Sequence, residues 1–102
     1  MSIKLVLLKS GEQVIADAKE LVLEESVKGY LLNKPQKVSA TKAMLLTEEN
    51  GEEPNVQITL SPFILLTSDE DIVIPTDWVV TVVEPLQALV EMYQEKTNGK
   101  ID

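Results

Sequence analysis

The apolar positions open in short runs. Ile3 to Lys9 reads IKLVLLK, and Ser10-Gly11-Glu12 supplies a turn before the next run, so the chain is expected to begin with a hairpin. From Gln13 to Glu24, Val14, Ala16 and Ala18 alternate with Asp17 and Lys19. Glu20 then breaks the phase, and Leu21 and Leu23 continue on the opposite parity. A strand that changes face carries a bulge or a sharp bend. Small barrels need such bends to close, and Ala16 and Ala18 suit the crowded inside of one. Glu24-Glu25-Ser26 reads as a loop and Val27 to Ala40 as a third strand, with a bend at Gly29 and an edge or interruption at Pro35.

Thr41 to Asn55 (TKAMLLTEENGEEPN) holds Asn50-Gly51 among four Glu and ends in Pro54, which predicts a turn or mobile loop; KAMLL alone is compatible with one helical turn. Val56, Ile58 and Leu60 alternate with polar neighbours, the pattern of a half-buried strand. Pro62 interrupts it, Phe63 to Leu66 resumes the apolar run, and Thr67 to Asp71 forms an acidic turn. Asp71 to Pro85 (DIVIPTDWVVTVVEP) is the most hydrophobic and β-branched stretch of the chain. Ile72 to Ile74 lead into a tight turn at Pro75-Thr76-Asp77, and Trp78 to Val83 then contains a single polar residue, Thr81. A strand apolar on both faces must be covered on both. Pro85 sits where a first helical turn tolerates it. Leu86, Leu89, Val90 and Tyr93 follow helical spacing up to a stop at Asn98-Gly99, which predicts an amphipathic helix packed on the barrel or on a neighbour.

Composition narrows the function more than the fold. The 102 residues suit one domain with one core, and the longest uncharged apolar run falls far short of the roughly 20 residues that cross a bilayer. No basic and apolar leader follows Met1, so the expected compartment is the cytoplasm and no membrane partner is expected. Cysteine and histidine are absent, which removes disulfides, thiolate chemistry, the usual general base and most transition-metal ligands. Arginine is absent as well. Residues 1–50 balance seven Lys against seven acids, whereas residues 51–102 hold two Lys and ten acids, so the formal charge of −8 resides in the second half. Such a field repels a polyanion.

The remaining candidates for chemistry are sparse. Glu48-Glu49, Glu52-Glu53 and Asp69-Glu70-Asp71 lack the ordered spacing of a calcium loop and read as solvated turns, so no metal is predicted. Lys34, Lys37 and Lys42 are the candidates for a phosphate path, without arginine or stacking aromatics to support them. Trp78 reads as core or interface rather than a base-stacking platform. Ser10-Gly11-Glu12 lacks the strand-to-helix context of a nucleophile or phosphate loop. No catalytic residue, no cofactor and no enzymatic activity are predicted.

The order of hairpin, bent strands, two-part apolar strand and VIPTDWVVTVVE resembles an Sm-like (LSm) domain over residues 3 to 84. The opening LLKSGEQVIADAKEL is similar to the family's first motif, with Gly11 at its turn glycine. The chain closely resembles the small Sm-like proteins of marine cyanophage-type genomes, which implies the cytoplasm of a bacterial host. The resemblance implies a mainly β fold: a small, strongly bent five-stranded antiparallel barrel of SH3 type over residues 1–84, with residues 85–102 as a C-terminal α-helix and tail of the same domain. It implies a homo-oligomeric ring in which the fourth strand of one subunit pairs with the fifth of the next, placing Phe63, Ile64, Leu65, Trp78, Val79, Val80, Val82 and Val83 at the subunit interface. The family's RNA-contacting Asp, Met-Asn and Arg-Gly patterns have no counterpart in LVLEESVKG or in Ile74-Pro75-Thr76-Asp77, so no RNA-binding residue carries over. The leading expectation is a ring-forming scaffold or adaptor with an unknown protein partner. The alternatives are a divergent RNA-binding ring and a monomeric SH3-like peptide-binding barrel.

Overall fold

The structure is a computed structural model that describes residues 2–47 and 51–98, with side chains over 2–40 and 57–97. Six strands form one open antiparallel sheet: β1 (Ile3–Leu8), β2 (Gln13–Leu23), β3 (Ser26–Thr47), β4 (Gly51–Pro62), β5 (Asp71–Pro75) and β6 (Val79–Val83). A single 3-10 turn, Thr76–Trp78, joins β5 to β6, and α1 (Gln87–Asn98) follows. The strand order is β4-β3-β2-β1-β6, with β5 paired to β3 on the edge away from β2, which β4 occupies further along, so the ladders do not close into the expected five-stranded barrel.

The opening hairpin forms as the pattern predicts. Gly11 takes φ +93°, a left-handed conformation that only glycine adopts without strain, and the turn is closed by its N–H donating to the Leu8 carbonyl at 2.9 Å. The β2–β3 register shifts twice, between Ile15 and Asp17 and between Leu21 and Val22, and at each step the extra residue lies on β3, beside Pro35 and beside Gly29. The bulges thus fall at the interruption and bend expected in the third strand rather than in β2. Leu21, Val22 and Leu23 stay exposed, so β2 does not bury its second apolar run. At the tip Leu23 pairs with Ser26 across Glu24 and Glu25, both at positive φ, 54° and 65°. A two-residue hairpin turn of that shape favours Asn-Gly, and each non-glycine residue there costs roughly 1 kcal/mol. Replacing Glu24-Glu25 by Asn-Gly is therefore expected to raise the thermal midpoint by several degrees, about 4–8 °C per kcal/mol for a domain of this size, in a calorimetric scan.

Two segments differ from the sequence expectation. Thr41 to Thr47 and Gly51 to Asn55 are strand rather than loop or helical turn, because β3 continues to Thr47 and pairs with β4 from Gln36↔Pro62 out to Thr47↔Gly51. Pro54 is tolerated there because β4 lies at the sheet edge. Glu48 to Asn50, which include Asn50 of the expected turn, lie outside the described residues. Phe63 to Leu66 does not resume a strand. The Phe63 N–H goes to the Pro35 carbonyl at 3.1 Å, and the chain then bends away from the ladder.

Apolar side chains on both faces of β1 and β2 create two cores. On one face Val6, Leu8, Val14, Ala16, Ala18, Leu32 and Ile74 are buried together, with Tyr30, Phe63, Val79 and Val82 packed against them. On the other, Ile15 and Leu60 lie beneath Leu89 and Tyr93 of α1, with Ile3, Leu5, Val38, Ile58 and Met92 around them. The helix thus packs on its own sheet, and its apolar spacing covers a face that would otherwise be wet. Tyr93 fixes its position. Its hydroxyl donates to the Asn33 carbonyl at 2.8 Å and accepts the Asp17 N–H at 3.3 Å. Burial pushes the phenol above its usual range; the Asp17 N–H pulls it back in part, and the charge of the Asp17 carboxylate adds to the rise.

Candidate assembly interface

The stretch from Asp71 to Val83 supplies two short strands that lie at different edges of the sheet. Five-residue β5 pairs with β3 from Asn33↔Asp71 to Gly29↔Pro75, and five-residue β6 pairs with β1 from Leu5↔Val83 to Leu8↔Val79. Among the described residues neither has a second neighbour, so each presents a row of backbone groups to solvent.

Packing explains how each edge is held. Gly29 lets β5 approach β3 closely, because a Cβ built on it would stand 2.8 Å from the Ile74 carbonyl oxygen. Ile74 points into the core, whereas Val73 beside it is 58% exposed. On β6, Val79 and Val82 face the core, and the register shift opposite Leu7 and Leu8 turns Val80 outward, 57% exposed. Trp78 and Val83 are about half exposed as well. The backbone of Trp78 is tied to β1, its carbonyl accepting the Lys9 N–H at 2.9 Å.

The residues named from the sequence for a subunit interface therefore divide. Trp78, Val80 and Val83 lie on or beside an open edge with side chains exposed. Val79, Val82 and Phe63 pack against the chain's own core. Ile64 and Leu65 are exposed but sit in the connection after β4 rather than on a strand. The edge at Val73 escaped sequence reading because Ile72 to Ile74 is too short to distinguish from the approach to a turn; its three β-branched residues were the available signal.

Among the described side chains, Lys34 and Lys37 do not line one basic groove. Lys37 lies 3.6 Å from Glu12. Lys34 sits at the β3 bulge at φ +52°, with its N–H donating to the Glu70 carbonyl at 2.6 Å. It faces a cavity of about 240 Å³ that Lys96, Asp69 and Glu70 also line. Lys42 stands opposite Val56 in the β3–β4 register, and its side chain is outside the described residues. Among the acids, Asp71 accepts the Asn33 side-chain N–H at 2.8 Å, and Lys4 is ion-paired with Glu84. Among the described residues no three acidic side chains converge as metal ligands would, and no helix is long and apolar enough to cross a membrane.

Comparison with curated proteins finds no match. Residues 1–98 match the model of a family described as Family of unknown function (DUF6561), and the chain belongs to that family.

Proposed function

We propose that this protein is a self-assembling Sm-like scaffold whose subunits join edge to edge, β5 of one copy pairing with β6 of the next, to close a ring that acts through protein contacts. The observation that carries the reading is the pair of open five-residue edges at the two ends of one covalent stretch, each with exposed β-branched side chains. Edges of this kind template pairing with another chain unless charge, proline or a cover blocks them. Val79 to Val83 contains neither a charge nor a proline, and β5 carries them only at its two ends, Asp71 and Pro75, leaving Ile72-Val73-Ile74 between them. Because the two edges differ, the contact is heterologous, and repetition of a heterologous contact closes a ring when the rotation permits. The bulged β3, the Gly11 turn and the short turn between β5 and β6 are elements that an Sm-like barrel requires. The formal charge of −8 favours protein partners over RNA.

Val80→Lys tests this reading. Val80 is exposed in the single chain, so the substitution is expected to alter its stability by no more than about 0.5 kcal/mol. At a β5–β6 joint it would bury a charge, and sedimentation velocity should show the assembly reduced to single chains. An unchanged assembly with an unchanged melting curve would remove β6 from the interface. Val82→Lys does not serve, because Val82 packs on the chain's own core and its loss tests the fold instead.

A further inference from the structure

Beyond the two edges and the exposed Leu21-Val22-Leu23 end of β2, the described residues present a compact apolar projection after β4. Phe63 is anchored against the core and by its N–H to Pro35, and the three residues after it, Ile64, Leu65 and Leu66, are turned to solvent, Leu66 at 94% exposure. On a connection anchored at Phe63 they form a contiguous apolar patch, the kind of surface that marks a protein contact. Asp69, Glu70 and Asp71 follow within five residues. Lys34 and Lys96, which share the adjoining cavity with Asp69 and Glu70, offset only part of that charge, and the Lys96 ammonium is turned to the Leu60 carbonyl at 2.9 Å.

We propose that the Ile64-Leu65-Leu66 projection docks a partner protein through an amphipathic segment that is apolar on one face and lysine- or arginine-rich along its margin. The inference rests on the scaffold reading and names the kind of partner that the scaffold would hold. Charge selects the occupant. The ring reading already places a second copy at β5 and β6, and the acidic run beside the projection repels a nucleic acid or an anionic lipid surface. A cationic amphipathic segment instead gains both the apolar contact and a complementary rim, which steers encounter and sets specificity.

The test uses fluorescence anisotropy of a labelled amphipathic helical peptide with leucines on one face and lysines on the other, beside its leucine–glutamate counterpart, with the oligomeric mass of each protein sample measured in parallel. The lysine peptide should bind and the glutamate peptide should not. Leu65→Ser combined with Leu66→Ser should weaken binding about tenfold or more while leaving the oligomeric mass unchanged. Asp69→Asn with Glu70→Gln should weaken it as well and flatten its salt dependence. Lysine-peptide binding that ignores the leucine pair, equal binding of both peptides, or no binding at all would overturn the proposal. A fall in oligomeric mass in the leucine variant would also overturn it, since the projection would then belong to the subunit contact. Single-chain mass in the unsubstituted protein, with leucine-dependent peptide binding intact, would contradict the ring alone.

Discussion

Gly29→Ala is expected to lower stability by about 1–3 kcal/mol and to displace β5 from the sheet. The added methyl would meet the Ile74 carbonyl oxygen at 2.8 Å, and that neighbour is backbone, so no side-chain rotation relieves the contact. Relief requires β5 to move away from β3. That movement loosens the pairing of Tyr30 with Ile74 and lifts the Ile74 side chain out of the core it shares with Leu32 and Val14. It also shifts one of the two open edges, so assembly should weaken along with the fold. A urea titration would show a lower midpoint in the variant, with the slope reporting whether β5 has detached before global unfolding. Unchanged stability would mean that β5 does not pack as closely on β3 as described.

Tyr93 carries the second large effect. Tyr93→Ala removes the ring that is 3% exposed beneath α1 together with both hydroxyl bonds, and should cost roughly 3–5 kcal/mol, releasing the helix from Ile15 and Leu60. Tyr93→Phe keeps the ring and isolates the hydroxyl. It leaves the Asn33 carbonyl and the Asp17 N–H without their partner, for a loss of about 1–3 kcal/mol. The raised phenol pKa adds a pH signature. A group that is harder to ionise in the folded state than in the unfolded chain contributes stability that is fully present below its unfolded pKa, about 10, and is lost as pH rises through the folded value. Unfolding titrations above pH 10 should therefore show a steeper decline for the unsubstituted protein than for Tyr93→Phe. Parallel declines would deny the latch.

Much of this architecture was readable because local pattern and tertiary environment agree. The Gly11 turn, the irregularities of β3 at Gly29 and Pro35, the half-buried alternation at Ile58 and Leu60, the turn at Pro75 to Asp77 and the helical spacing of Leu89 and Tyr93 all concern residues whose neighbours along the chain also set their burial. The β3–β4 ribbon was hidden for the opposite reason. Ala43 to Leu46 favours helix and Glu52 to Pro54 favours loop, and only pairing with a partner distant along the chain makes both into strand. The apolar run at Phe63 to Leu66 looked like strand because hydrophobicity does not reveal that the Phe63 N–H is already taken by Pro35. Of the candidate interface, the hydrophobic character of Trp78 to Val83 was plain, but its division into core-facing Val79 and Val82 and outward Val80 depends on the register shift opposite Leu7 and Leu8, which has no local signature.

Edge-to-edge assembly is the central claim, and the mass of the unsubstituted protein in solution tests it most directly. Light scattering on a size-exclusion column, repeated over a range of loading concentrations, should give one integer multiple of 11.3 kDa that does not change with concentration, as a closed ring requires. A mass of 11.3 kDa at micromolar concentration, or a mass that keeps growing with concentration, would contradict it.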